Sequence, residues 1–142
     1  MKAFTVIELI LVISIIGVLM AATTPFMSSF MLRNSWHVAT DRVVSEVYKA
    51  QNYAMSGKTI SGSNVWGVCL NGDTFRMFNG SCSTPNFFED YSFPRGITIT
   101  GITSVTFDNL RGLPSVVSTI SIVSELGSSN VNLGESGMVD VN

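Results

Sequence analysis

The chain opens with a long apolar run. From Phe4 to Ala22 it reads FTVIELILVISIIGVLMAA. Residues of lower hydropathy interrupt this run at Thr5, Glu8, Ser14 and Gly17. As a helix, the run is about 28 Å long at 1.5 Å per residue, close to the roughly 30 Å hydrocarbon thickness of a bilayer. The pattern therefore predicts a helix that can cross a membrane.

Beyond Pro25 the apolar positions recur at steps of three and four, which predicts an amphipathic helix with one core-facing stripe. The stripe comprises Trp36, Ala39, Val43, Val47, Ala50 and Ala54. Gly57 can supply the left-handed residue that often ends a helix. Pro25 lacks a backbone donor and can kink or locally melt the helix. The alternative is a proline in a simple linker between an anchor and a head. A helix from Phe4 to Met55 would be about 78 Å long, more than a small domain can cover, so we expect lipid or other chains to cover the excess.

After Gly57 short alternating runs predict β-strands. Asn71-Gly72-Asp73 between two of these runs is typical of a hairpin turn. The predicted strands are Asn64–Leu70, Thr74–Phe78, Gly96–Thr100, Ser104–Phe107, Thr119–Val123, Asn130–Leu133 and Met138–Val141. We therefore expect an α+β fold in which the amphipathic half-helix packs on the buried side of an antiparallel β-sheet head.

Composition narrows the function. Charged residues make up 13% of the chain, the mean hydropathy is +0.38 and the formal net charge is -2. No basic surface is predicted, so nucleic-acid binding is not expected. No nucleophile elbow, phosphate-binding loop or dinucleotide-binding glycine pattern occurs in the sequence, so we predict neither an enzyme nor a cofactor. The single histidine, His37, is interpreted as a residue of the polar helix face.

The two cysteines, Cys69 and Cys82, do not have the paired C-x-x-C spacing of a zinc site, so no metal is predicted. In a head outside the cytoplasm they can form a disulfide, which would stabilise the fold by about 2 to 3 kcal/mol. The alternative is two free thiols buried as small hydrophobic groups.

Glu8 distinguishes between a secretory signal, an ordinary membrane anchor and a filament-forming helix. A carboxylate within an apolar helix costs about 2.5 to 3.5 kcal/mol on insertion and usually has a partner. Cutting the chain after Ala3 would create that partner, a positive α-amine on Phe4 at i, i+4 from Glu8. Between staggered subunits, the amine of one chain could instead pair with Glu8 of its neighbour.

Residues 2 to 9, KAFTVIEL, resemble the prepilin-peptidase site of type IV pilins and secretion pseudopilins. The resemblance implies cleavage between Ala3 and Phe4, N-methylation of Phe4, and assembly through Phe4 and Glu8. Ala3 stands where the family prefers glycine. Gly17 and Pro25 fall where members often carry a glycine and a helix-kinking proline.

The tail resembles that of H-type pseudopilins and related minor pilins. The similar segments are Val105-Thr106-Phe107-Asp108, Arg111-Gly112, a strand around Ile120, and residues 133 to 139, LGESGMV. Some relatives bind DNA through an arginine in the last of these segments. Here the stretch carries Glu135 and no arginine, so the resemblance implies no nucleic-acid partner.

The resemblance implies four parts: a leader at 1–3, a transmembrane and filament-core helix at 4–30, an amphipathic half-helix at 31–57, and a β-rich head at 58–142. Lys2 before the apolar run favours a cytoplasmic N-terminus and an extracytoplasmic head, in a single pass of a bacterial inner membrane. The implied partners are prepilin peptidase, an inner-membrane assembly platform, membrane lipid and other pilin or pseudopilin subunits. The competing interpretation is a membrane-anchored extracytoplasmic binding protein that acts as a monomer.

Overall fold

The computed structural model describes the backbone of residues 5–142, and the side chains of these residues except 23–29. Over this part of the chain there is one α-helix, α1 (Val6–Met55). The chain divides into two compact units, Met1–Asn34 and Ser35–Asn142. The second unit contains the last part of α1 and all the strands.

The helix ends as its sequence predicts. Gly57 has a φ of +63°, in the left-handed region that residues with a Cβ avoid. The Gly57 amide donates to the Ala54 carbonyl, and the Lys58 amide donates to the Tyr53 carbonyl. These are the two hydrogen bonds of a Schellman motif, which satisfies carbonyls that the last turn leaves without partners.

Eight strands follow the helix: β1 (Trp66–Asn71), β2 (Thr74–Gly80), β3 (Pro85–Ser92), β4 (Ile97–Thr100), β5 (Ser104–Phe107), β6 (Ser118–Ser124), β7 (Gly127–Leu133) and β8 (Val139–Val141). They form two antiparallel sheets. Sheet 1 has the order β3-β2-β1-β5, and sheet 2 has the order β4-β6-β7-β8.

The predicted α+β class, with a helix and antiparallel strands, is confirmed. Each predicted strand overlaps an observed one, and the hairpin turn lies at Gly72, whose φ is +61°. The prediction of a single sheet is wrong, because β4 pairs with β6 whereas β5 pairs with β1. The sequence analysis also missed β3, an edge strand that begins at Pro85 and whose residues alternate between half-buried and exposed.

The core lies between the helix stripe and the inner faces of the two sheets. Five predicted stripe residues are fully buried: Ala39, Val43, Val47, Ala50 and Ala54. In sheet 1 the inner face includes Trp66, Val68, Phe75 and Met77. In sheet 2 it includes Ile120, Ile122, Val131 and Leu133. Small side chains on the helix allow its close packing against these larger ones.

The outer faces of the two sheets differ in chemistry. On sheet 2 the outer face is polar, with hydroxyl-to-amide hydrogen bonds of 2.8 Å from Thr119 to Asn132 and from Ser121 to Asn130. The outer side of sheet 1 carries the disulfide between Cys69 and Cys82, which confirms the predicted bond. This bond ties β1 to the segment between β2 and β3.

Gly67 in β1 makes room for an aromatic ring on that outer face. It lies opposite Phe78 of β2, whose side chain is buried. A Cβ at position 67 would lie 2.7 Å from the Phe78 ring and 2.4 Å from the Val105 carbonyl oxygen. The backbone carbonyl cannot move aside without disturbing β5, so a side chain here would strain sheet 1.

We therefore expect Gly67→Ala to lower the free energy of unfolding by about 2 kcal/mol. The matched control is Gly134→Ala, where the nearest atom to an added Cβ is at 3.6 Å, an ordinary contact distance. Chemical denaturation of the full chain in detergent, followed by tryptophan fluorescence, measures both. Equal free energies of unfolding of the two variants would show that β5 and the Phe78 ring can shift to admit a Cβ at position 67 without a loss of stability.

Candidate assembly surface

The N-terminal part of α1 has an apolar surface with little cover. Between residues 5 and 22 every side chain is exposed. Among the large apolar side chains, exposure ranges from 43% at Val12 to 76% at Val6 and Ile7. Contiguous exposed apolar surface of this extent marks contact with another protein or with lipid. These residues form the candidate assembly surface, which we define as residues 6–20.

Glu8 forms a local cap at the start of this surface. The Thr5 carbonyl accepts the first helical hydrogen bond, from the Leu9 amide at 3.2 Å. The Glu8 amide contacts the Thr5 Oγ1 at 3.4 Å, and the Thr5 amide contacts the Glu8 Oε2 at 3.5 Å. Thr5 and Glu8 thus occupy the two positions of a capping box. Because the contacts are long, the hydrogen bonds are weak, and they use only one oxygen of the carboxylate.

Two other residues of the surface suit an apolar environment. The Ser14 hydroxyl donates to the Ile10 carbonyl at 2.7 Å, so its hydrogen-bonding capacity is met within the helix. A Cβ at Gly17 would have no atom within 4 Å. Packing inside this chain therefore does not require the glycine, whereas small residues permit close approach of another helix.

Several predicted positions cannot be compared with the structure. Ala3 and Phe4, the predicted cleavage and methylation sites, lie outside the described residues, and so does the side chain of Pro25. Cleavage, methylation, the amine pair with Glu8 and the proline kink remain predictions. Among the helical residues with described side chains, no stretch is both long enough and apolar enough to cross a membrane.

Within the second unit, the rest of α1 is held by a buried amide. The Gln51 Nε2 donates to the Gly112 carbonyl at 3.2 Å and to the Gly137 carbonyl at 2.8 Å. It thereby joins the β5–β6 loop to the β7–β8 loop. Both glycines have positive φ, and a Cβ at Gly112 would lie 2.9 Å from the Met55 side chain. One helix residue therefore contacts both the β5–β6 loop and the β7–β8 loop.

Charged pairs stabilise the edges of the helix packing. Lys49 forms a salt bridge with Glu89 of β3, and this hydrogen bond raises the pKa of Lys49 above its ordinary value. Arg42 pairs with the buried Glu46 at 2.7 Å within the helix. The Arg42 guanidinium also lies 5.9 Å from the centre of the Tyr91 ring in β3. These contacts hold edge strand β3 against α1.

A third ion pair supports the outer face of sheet 1. Arg76 of β2 binds both carboxylate oxygens of Asp90 in β3, at 2.6 and 2.7 Å. The hydrogen bonds from Arg76 lower the pKa of Asp90 and raise that of Arg76. Arg76 also donates to the Cys82 carbonyl at 3.3 Å, so one guanidinium connects β3 with the disulfide segment.

Over the described side chains, no cluster of three or more histidine, cysteine, aspartate or glutamate residues could hold a metal ion. The predicted residues Glu8 and Gly17 both lie within residues 6–20 of α1, on different turns of the helix, whereas Cys69 and Cys82 lie in the head. Comparison of the chain with protein families, curated proteins and solved structures found no match.

The sequence analysis missed the capping box, the Gln51 contacts and the Arg76–Asp90 pair. The first had a recognisable signal, because threonine followed three residues later by glutamate before an apolar run is typical of a helix start. Gln51 lies beside the apolar stripe at Ala50 and Ala54 but has no comparable local signal. Its partners are carbonyls far along the chain, so only the fold reveals them.

We expect Asp90→Asn to destabilise the chain by about 1 kcal/mol at pH 7, since it breaks a two-point Arg76 contact that is partly exposed. Because the folded state lowers the pKa of Asp90, the stabilisation is present above the ordinary value of 3.8 and is lost as the pH falls through the lowered folded value. Denaturation of the parent chain and of Asp90→Asn at neutral and acidic pH measures their free energies of unfolding. The difference between the two values should become smaller at acidic pH.

The control is Asp140→Asn, at an exposed carboxylate on β8. It should leave the unfolding free energy close to that of the parent chain at either pH. A pH-independent effect of Asp90→Asn would mean that altered packing, and not the ion pair, is responsible.

Proposed function

We propose that the chain is a type IV pilin-like subunit, a minor pilin or a secretion pseudopilin of the H-type group, that assembles through its N-terminal helix. The observation that carries the proposal is the exposed apolar surface at residues 6–20. In the head, in contrast, the core side chains are buried by the chain itself, whereas the apolar side chains of the N-terminal helix are not. Copies of the same helix can cover such a surface.

In this proposal prepilin peptidase cleaves between Ala3 and Phe4 and the new amine of Phe4 is methylated. The amine then pairs with Glu8 of a neighbouring subunit. Glu8 supports this step because it is exposed on an apolar surface, and because its Oε1 has no hydrogen bond among the described residues. An ionised carboxylate in an apolar surrounding is strongly penalised unless it is paired, so the pair sets the stagger between subunits.

Before assembly the subunit is held in the bacterial inner membrane, with its N-terminus in the cytoplasm and its head outside. Membrane lipid covers the helix at this stage, and the assembly platform transfers the subunit into the filament. The disulfide between Cys69 and Cys82 supports this location of the head, since such bonds persist in oxidising compartments. The internally bonded Ser14 hydroxyl suits both environments.

Two substitutions separate the charge of Glu8 from its role in the helix cap. Glu8→Gln removes the charge but keeps a residue that suits the capping box, whereas Thr5→Val removes the cap and keeps the charge. We expect Glu8→Gln to reduce recovery in sheared filaments about tenfold or more, because the neighbour's amine loses its partner. We expect Thr5→Val to stay within about twofold of the parent, as expected for weak capping bonds.

Fractionation provides the control, since both variants should remain in the membrane fraction at the parent level. Normal filament recovery of Glu8→Gln combined with loss for Thr5→Val would assign Glu8 to the cap alone. N-terminal sequencing of the natural product tests the processing step separately. The filament proposal requires Phe4 as the first residue, whereas a chain that retains Met1 or Lys2 and never enters polymers would overturn it.

The alternative function is a membrane-anchored extracytoplasmic binding protein that acts as a monomer. A cleft in the head favours it, and this cleft would be the ligand site in such a protein. That alternative uses the same anchor but needs neither cleavage after Ala3 nor the charge of Glu8. N-terminal sequencing, together with recovery of the parent chain in sheared filaments, therefore distinguishes it from the filament subunit.

A further inference from the structure

A cleft of about 320 Å³ lies in the head between the β1–β2 turn and the segment that leads into β4. Gly72 and Asp73 line one part of it, and residues 93–99 line the rest. Its volume is at the lower end of the range typical of ligand sites. The apolar lining comes from Phe93, Ile97 and Ile99, so the cleft combines an apolar wall with exposed charges.

One wall of the cleft is the free edge of a strand. In the described sheet, β4 pairs with β6 on one side only. The Ile97 amide donates to the Pro94 carbonyl at 3.2 Å and not across the ladder. Since alternate residues of an antiparallel strand face the same side, Ile99 directs its amide and carbonyl towards the open edge. The cleft therefore offers a backbone donor and acceptor to a ligand.

The two charged residues of the cleft are available to a ligand. Arg95 and Asp73 have no salt bridge or hydrogen bond among the described side chains. Arg95 lies two residues before β4, at the strand's N-terminal end. A segment that adds to β4 in the antiparallel sense places its C-terminal end there. A terminal carboxylate would then meet the Arg95 guanidinium.

We propose that this cleft binds the free C-terminal tail of a partner protein, in extended conformation, by antiparallel addition to β4. Ile99 supplies the main-chain hydrogen bonds, Arg95 binds the terminal carboxylate, and the Phe93 side of the cleft accepts an apolar side chain. Asp73 disfavours acidic residues in the tail. Strand addition with backbone bonds for affinity and pockets for alternate side chains is a general mode of peptide recognition.

The other sheet edges lack this combination. The outer edge of β5 is covered by the following loop, since the Ser115 amide donates to the Thr106 carbonyl at 2.8 Å. The charges on β3 are engaged, with Glu89 bound to Lys49 and Asp90 bound to Arg76. Strand β8 has three residues. Only at β4, within the described sheets, does an open edge adjoin a cleft with unpaired charges.

The test uses the full chain purified in detergent and the synthetic peptide acetyl-Thr-Val-Thr-Val-Ser-Val with a free carboxyl end, labelled at its N-terminus for fluorescence anisotropy. A C-terminally amidated version lacks the negative charge. Two further versions are methylated on alternate backbone nitrogens, one version on the even and the other on the odd positions. Because one set of N–H groups faces β4 and the other faces away, the two isomers are matched in composition and apolarity.

We expect the free-acid peptide to bind, and we expect amidation to weaken its binding about three- to fivefold. One methylated isomer should lose more than about tenfold in affinity, while the other isomer should keep the affinity of the unmethylated peptide. Arg95→Gln should remove the difference between the acid and the amide, while Arg111→Gln, in the β5–β6 loop, should leave it unchanged.

Equal weakening by both methylated isomers would show apolar adsorption without strand addition and would overturn the proposal, as would failure of the free acid to bind. These measurements are made on the unassembled chain, so neither result depends on whether it enters a filament.

Discussion

The constraint on which the rest of the structure depends is the cover of a long helix. One helix of fifty residues carries apolar side chains along most of its length, but the described side chains become buried only from its later part onwards. There, alanine and valine face two sheets and lose their contact with water. Earlier in the helix, at residues 6–20, the apolar side chains remain exposed. Covering residues 6–20 with lipid or protein is therefore favoured by the hydrophobic effect. The apolar stripe in the later part of the helix is already covered by the sheets.

The interactions of the head link its peripheral parts to one another and to the helix. Gln51 joins two loops to the helix, the Cys69–Cys82 bond joins β1 to the segment before β3, and Arg76 links that segment to β3. The salt bridge between Lys49 and Glu89 connects β3 to the helix. Each of these links restrains a part of the head that packing alone leaves at its periphery.

The observed role of Glu8 in the helix cap does not exclude its proposed role in assembly. As the N3 residue of a capping box it helps to begin the helix, and it does so with long contacts to Thr5. As a carboxylate on an apolar surface it also needs a positive partner once water is removed. The cap uses Oε2, and Oε1 has no hydrogen bond among the described residues. The strand edge at β4 belongs to the head and is independent of both roles.

The sequence by itself determined the apolar run, the buried stripe from Ala39 to Ala54, the helix end at Gly57 and the hairpin at Gly72, because each of these depends on neighbours a few residues apart. Only the tertiary structure decided that the strands divide into two sheets, that β3 closes sheet 1, that Gln51 meets Gly112 and Gly137, and that β4 keeps an open edge. Alternation shows which face of a strand is buried, but not which strand lies beside it. That choice depends on close contacts between distant residues, such as Phe78 over Gly67, which no local pattern encodes.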